Sequence, residues 1–334
     1  MSYNILAIES SCDDTSAAVI SNGKICSNIV AGQIIHERYG GVVPELASRA
    51  HQQHIVPVVN KALADAKISK KDLNAIAFTR GPGLLGSLLV GASFAKSMAL
   101  VLDIPLIEVH HMQAHVLAHF IDEPRPNFPF LCLTVSGGHT QIVVIESPLS
   151  MKVIGETQDD AVGEAFDKTA KLLNLPYPGG PLIDKHAELG NPEAFKFPLS
   201  EMPNYNFSFS GIKTAILNFL KKNLATNPDF ISENLNDICA SVQATLIKML
   251  LQKLKRAARD LNIKEIAIAG GVSANSGLRK SLQELGEKER WNVYIPDFQY
   301  CTDNAGMIAM AADFKYKENL FTDQTVSPLP RMEW

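Results

Sequence analysis

Short apolar runs, each closed by a turn of small or polar residues, alternate along this chain with stretches of helical period. NILAIES reads as a buried strand, because an unbroken apolar run of that length suits a strand covered on both faces. The polar turn SSCDDT follows. SAAVIS and KICSNIV then read as a hairpin closing over SNG. PELASRAHQQHIVPVVNKALADA has helical periodicity and starts at Pro44, where a proline sacrifices no helical hydrogen bond. LNAIAFT is a buried-type strand, RGPGLLGS a turn leading into an apolar helix, PLIEVH another strand and HMQAHVLAHF another helix.

From there the pattern repeats. PFLCLTV, the small-residue turn SGGHT and QIVVIES mirror the opening strand, turn and strand. IKEIAIAGGVSANSGLR mirrors LNAIAFTRGPGLLGS, a strand and Gly-rich turn running into a helix. The same units in the same order predict a duplicated, two-lobed α/β fold. The first, ribonuclease-H-like lobe is expected at residues 1–125, with the segment 303–334 packing back on it. The second is expected at 126–302, with a mostly helical insertion over about 159–260.

Composition narrows the class. A chain of 334 residues is long for one core, and 46% hydrophobic against 20% charged residues leaves ample apolar surface to bury. A net charge of −4 argues against gripping nucleic acid by bulk charge, while leaving room for a local basic face. Cys12, Cys26, Cys132, Cys239 and Cys301 are scattered without a CxxC pair, as expected of free thiols in a reducing cytosol. MSYNILAIESS is not a signal peptide. GLLGSLLVGASFAKSMALVL reaches membrane length but carries Lys96 and three serines, so a buried helix is expected, with no membrane and a cytoplasmic location.

Candidate chemistry gathers at the turns. On a helix, His111 and His115 stand one turn apart, where both imidazoles reach one metal. Alone, such a pair favours histidines in a structural role. Met112 occupies the position where an HExxH protease needs glutamate. Asp303 precedes a C-terminal helix and is either its N-cap or a third ligand. Asp13 and Asp14, with Glu9 nearby, are either turn formers or acid–base groups. The turn Ser136, Gly137, Gly138 is either an ordinary tight hairpin or a set of backbone N–H donors for an oxyanion. Gly270 and Gly271 allow a flat ring to approach, and Asn275 either caps a helix or binds a ribose or base. GEAFDKTAKLL, YPGGPLIDK and FSFSGIKTA add Asp167, Lys168, Gly180, Asp184, Ser208, Ser210 and Lys213, none telling by itself.

The duplicated plan is similar to that shared by acetate and sugar kinases, Hsp70 and actin, in which the two opening turns hold phosphates across a central nucleotide cleft. The ordered set ESSCDDT, YGGVVPELASRAH, RGPGLLGSL, HxxxH, SGGHT, GEAFDKTAK, YPGGP, FSFSGIKTA, DICASVQ, AGGVSANSGLR and CTDNAGMIA is more specific. It resembles the tRNA N6-adenosine threonylcarbamoyltransferase family of the bacterial type, formerly called O-sialoglycoprotein endopeptidase, from Ile5 to about Ala312. The resemblance implies transfer of an L-threonylcarbamoyl group from threonylcarbamoyl-adenylate to N6 of the adenosine 3′ of the anticodon in tRNAs reading codons that begin with adenine, releasing AMP. It implies a divalent metal on His111, His115 and Asp303: iron(II) by family likeness, with zinc or manganese also suited to two His and one Asp. It implies substrate contacts from Thr134, Val135, Ser136, Gly137, Gly138, Asp167, Gly180, Asn275 and Asp184, and roles in activity for Asp13 and Asp14, with Asp13 or Glu9 as proton acceptor. It further implies a paralogous two-lobed partner (TsaB-like) and a small P-loop ATPase (TsaE-like).

Two positions depart from the family pattern. His110 stands where many relatives have Asn, and Gln113 where they have Glu. Three rival readings follow from the same motifs. A small-metabolite kinase would hold Mg²⁺ through oxygen ligands rather than paired histidines. A metalloprotease lacks its glutamate, and a non-catalytic nucleotide-binding scaffold needs neither histidine pair nor acidic turn.

Overall fold

The computed structural model describes residues 2–33, 36 and 39–334. Two compact units account for the chain. The first comprises Met1–Arg125, Ser147–Met151 and Pro296–Trp334, the second Pro126–Glu146 and Lys152–Ile295. The chain re-enters the first unit at Pro296, and Tyr300 and Cys301 just beyond are buried.

The first unit opens with β1 (Asn4–Glu9), β2 (Thr15–Ser21) and β3 (Lys24–Ala31), an antiparallel meander. Helix α1 (Pro44–Ala66) follows, with Pro44 in its first turn and Lys67 closing it in the left-handed conformation. Then come β4 (Ala75–Gly81), α2 (Leu85–Leu102), β5 (Leu106–His110) and the short α3 (His111–Leu117). The sheet order is β3-β2-β1-β4-β5, with β4 parallel to both β1 and β5. Leu6, Ile8, Val19, Ile76 and Phe78 from the strands meet Ile55, Val58, Val59, Ala92 and Ala95 from α1 and α2 in one core.

α2 was expected to be buried and is so on one face only. Leu88, Ala92, Ala95 and Ala99 are covered, whereas Leu85, Leu89, Leu100 and Val101 are exposed. The helix lies on the outside of its sheet, so a single stripe meets the core.

The second unit repeats the plan with β6 (Phe130–Val135), β7 (Thr140–Ser147) and β8 (Ser150–Glu156). Four helices follow: α4 (Val162–Leu172), α5 (Gly179–Ala187), α6 (Ser210–Leu224) and α7 (Phe230–Leu261). Then come β9 (Glu265–Ala269), α8 (Ser276–Glu289) and β10 (Asn292–Tyr294). Its sheet order, β10-β9-β6-β7-β8, matches the first strand for strand, with β6 in the place of β1 and β9 in that of β4. β6 is buried at every position, as its apolar run requires. Back in the first unit, the short α9 (Phe298–Cys301) leads to α10 (Ala305–Lys317).

Candidate metal centre and substrate-contact residues

β1, β4 and β5 run parallel, so their carboxyl ends share one edge of the sheet, the edge at which open α/β sheets place their sites. β1 ends at Glu9, β4 carries Thr79 there, and β5 hands over to α3 at His110. Glu9 is fully buried. Its carboxylate accepts from Ser11 N at 2.5 Å, Thr79 Oγ1 at 2.6 Å and His111 Nδ1 at 3.1 Å. His111 Nδ1 also lies 3.2 Å from Ser11 Oγ.

With Nδ1 held by Glu9, His111 presents Nε2 to Asp303 Oδ1 at 3.3 Å. His115 Nε2, one turn on, meets the same oxygen at 3.2 Å. The two rings stand edge to face, 4.7 Å between centroids. Asp303 is not the cap of α10: Asn304 is, its side chain accepting from Met307 N. That frees the Asp303 carboxylate for the histidines. The segment is pinned from behind, since Ala305 N donates to Ser16 Oγ and Gly306 N to Asn28 Oδ1.

Charge is concentrated here. Burial opposes ionisation of Asp303, but His111 and His115 hold its carboxyl far below the usual range. Burial likewise opposes Glu9, and the charge and hydrogen bond of His111 bring it below the ordinary carboxylate value. For His111, burial is outweighed by Asp303 and Glu9, so its pKa rises well above that of a free histidine. For His115 burial prevails and its pKa falls. Of the two rings, His111 is therefore the one that holds an added proton more readily. Asp14 is pushed up to about 7, first by burial and then by the charges of Asp303, Asp13 and Glu9.

This cluster fits a divalent cation. One potential ligand atom each from His111, His115 and Asp303 lies within 4.8 Å of the other two. His115 Nδ1, the ring nitrogen not turned to Asp303, is buried without a partner among the described residues. Nitrogen ligands suit a transition metal better than magnesium or calcium.

The acidic turn beside it is locked through its backbone. Leu84 N donates to Ser11 O at 2.7 Å, and Ser87 Oγ to Cys12 O at 2.9 Å. His51 Nε2 donates to the same carbonyl at 3.0 Å and lies with Nδ1 2.8 Å from Thr15 Oγ1. Asp13 and Asp14 are left partly exposed.

In the second unit, Thr134 and Val135 are buried strand residues. Of the three N–H groups expected as donors, two are spent inside the turn. Ser136 N donates to His139 O at 2.8 Å, and Gly138 N to Ser136 Oγ at 3.3 Å. A four-residue turn closes on itself in this way, leaving Gly137 as the N–H without a protein acceptor among the described residues. Asp167 Oδ1 accepts from Gly179 N at 2.9 Å and Gly180 N at 3.1 Å, so the Gly180 N–H is also engaged.

Asn275 caps α8, its oxygen accepting from Leu278 N at 2.8 Å and its amide donating to Gln243 Oε1 at 2.7 Å. Asp184 accepts from Ser276 N at 2.8 Å, Ser276 Oγ at 2.9 Å and Gln243 Nε2 at 3.0 Å. Gly270 has φ +89°, and a Cβ there would lie 2.5 Å from Val135 O, so this glycine serves the approach of β9 to β6 rather than a ligand. Gly271 faces open space. Ser208 and Ser210 bind Asp159, which the sequence did not single out.

The profile of TsaD, tRNA N6-adenosine threonylcarbamoyltransferase, matches residues 24–310. A tRNA N6-adenosine threonylcarbamoyltransferase of Cytophaga hutchinsonii is 65% identical over 332 residues, covering 99% of this chain and 97% of that protein. One of Christiangramia forsetii is 61% identical over 334 residues, covering 99% and 98%. The chain belongs to the tRNA N6-adenosine threonylcarbamoyltransferase family. It is an acyltransferase that modifies tRNA, and neither the kinase nor the protease reading is favoured.

Among solved structures, full-length HypF is similar with a TM-score of 0.62 at 13% identity, over 96% of this chain and 47% of that one. Component A of the Acidaminococcus fermentans (R)-2-hydroxyglutaryl-CoA dehydratase gives 0.53 at 14%, over 95% and 98%. At such identities the likeness concerns the two-lobed fold alone.

Within this threonylcarbamoyltransferase, four supporting residues escaped the sequence reading: Ser11, Thr79, His51 and Gln243. Each acts through hydrogen bonds that only the sheet register or helix packing creates. Ser11 and Gln243 lie within the motifs ESSCDDT and DICASVQ, and His51 on the buried side of α1.

Proposed function

We propose that the transfer proceeds at a metal centre of His111, His115 and Asp303, with the acidic turn beside it managing the proton. The convergence of both Nε2 atoms on one oxygen of Asp303, with Glu9 fixing the far nitrogen of His111, carries this reading. When bound, the metal supplies a Lewis acid and a positive clamp for the donor's charged group. Iron(II) is favoured by family, with zinc or manganese as the alternatives that elemental analysis distinguishes. Glu9 serves as the orienting carboxylate for His111, because all its contacts are already committed inside the protein.

The donor, threonylcarbamoyl-adenylate, is a mixed anhydride. As N6 attacks its carbonyl carbon, the C–N bond forms and the C–O bond to AMP breaks, AMP leaving with the electron pair. N6 sheds one proton, and Asp13 or Asp14, both partly exposed, takes it. Taken by itself, the second unit has two groups with an uncommitted polar atom. Gly137 offers an uncommitted N–H. Asp167 binds Gly179 and Gly180 through Oδ1 only, which leaves Oδ2 to accept a hydroxyl. Asp184 and Asn275 act chiefly by holding the first turn of α8.

The family supplies the tRNA substrate. A TsaB-like two-lobed partner and a TsaE-like P-loop ATPase are proposed from the same resemblance, as is a cytoplasmic site of action. Threonine, bicarbonate, ATP and unmodified tRNA, incubated with a threonylcarbamoyl-adenylate synthase, the helpers and this chain, test the reading by nucleoside mass. Formation of threonylcarbamoyladenosine that depends on this chain is expected. ATP-dependent phosphorylation of a small acid or sugar, without any change in tRNA, would refute it.

A further inference from the structure

The metal helix α3 starts at His111, and the residue before it carries the cap. His110 is buried, and its Nδ1 accepts from Met112 N at 3.2 Å and Gln113 N at 3.4 Å. Backbone N–H groups only donate, so Nδ1 bears no proton and the neutral ring carries its hydrogen on Nε2. That hydrogen is donated to Met332 O at 3.2 Å. The Trp334 ring packs on the His110 ring at 5.4 Å between centroids.

The segment 326–334 is laid along the same sheet edge by a series of further bonds. Lys96 Nζ donates to Val326 O, Arg80 Nε to Ser327 O, Leu329 N to Arg80 O and Gly83 N to Pro330 O. The approach is close enough that a Cβ on Gly81 would come within 1.9 Å of Leu329 O. The strap thus grips the β4–α2 turn at one end and the cap of α3 at the other.

We propose that the segment 326–334 is a positioning strap for the metal centre: by holding His110 in its capping tautomer and orientation, Met332 and Trp334 fix the start of α3 and so the aim of His111 and His115. The geometry also distinguishes a histidine cap from an asparagine cap. Asn caps a helix through a short side chain with no help, whereas an imidazole cap needs its second nitrogen satisfied. Met332 O satisfies it. Strap and histidine therefore form one device, in which His110 acts as a positioning residue through the cap of α3.

The inference rests on the metal centre proposed above, and a thermodynamic cycle separates the two. Cobalt(II) or zinc(II) affinity is measured by calorimetry on the full chain, on a chain lacking residues 332–334, on His110→Asn, and on the combination. Trp334→Ala serves as a milder strap variant, and thermal melts verify folding. Removing 332–334 should weaken metal binding about tenfold in the His110 background, as loss of an outer-shell support does. Trp334→Ala should act in the same direction. His110→Asn should restore near-normal affinity, and the truncation should then have little effect, because the Asn cap is independent of the strap. Truncation that leaves affinity unchanged, or weakens it equally in the Asn background, overturns the strap while leaving the metal centre standing. A full chain that binds neither ion overturns both.

Discussion

At the scale of single residues, the centre depends on which nitrogen of His111 is committed. Glu9 occupies Nδ1, so Nε2 faces His115 and Asp303. Glu9→Gln should preserve the fold and weaken metal binding roughly 10–100-fold, the usual loss when an orienting carboxylate is removed; calorimetric titration reads this directly. The sign of the pH dependence follows from His111. Its pKa is raised by Asp303 and Glu9 against the opposing effect of burial, so in the metal-free protein the proton persists above the normal histidine range. A cation must displace that proton. Affinity should therefore climb as pH rises from mildly acid to mildly alkaline, with proton release detectable as a dependence of binding heat on buffer ionisation enthalpy. For Asp13, alanine substitution should slow single-turnover transfer by about 10²–10⁴ if it takes the N6 proton. Intact transfer would reassign that role to Asp14.

Elements decide which residue type means what. In CTDNAGMIA, Asp303 read as either a helix cap or a ligand. The chain uses Asn304 for the cap and Asp303 for the histidines, a division set by where β2 and β3 anchor the first turn of α10. Nothing local in the sequence reveals it. SGGHT was similarly ambiguous, and a tight hairpin consumes two of its three N–H groups. Gly137 is the residue left over, and a Cβ added there would meet no atom within 4 Å. Gly137→Ala should melt normally yet raise the donor KM. Gly270→Ala should behave in the opposite way, destabilising the second unit by about 1–3 kcal/mol through its left-handed backbone, besides the clash with Val135 O. Chemical denaturation of the two variants side by side distinguishes a ligand-facing glycine from a packing one.

For the whole molecule, the duplication was legible because it is written in hydrophobic period, which a strand cannot hide. Matching runs such as NILAIES and PFLCLTV became the equivalent central strands β1 and β6, in sheets of matching order. The histidine pair and Asp303 were legible only through the ordered motifs, since 188 residues separate His115 from Asp303 and no periodicity spans that distance. The strap was not legible at all, for SPLPRMEW has no period and its hold on the molecule runs through backbone carbonyls. The account's central claim is that His111, His115 and Asp303 together hold one divalent metal that the transfer requires. Metal content per chain, measured by elemental analysis of anaerobically purified wild type and of Asp303→Ala, tests it most directly. We predict close to one equivalent in the wild type and a small fraction of that in the folded variant. A wild type active in tRNA modification with no bound metal, or an Asp303→Ala protein that keeps its full complement, would contradict it.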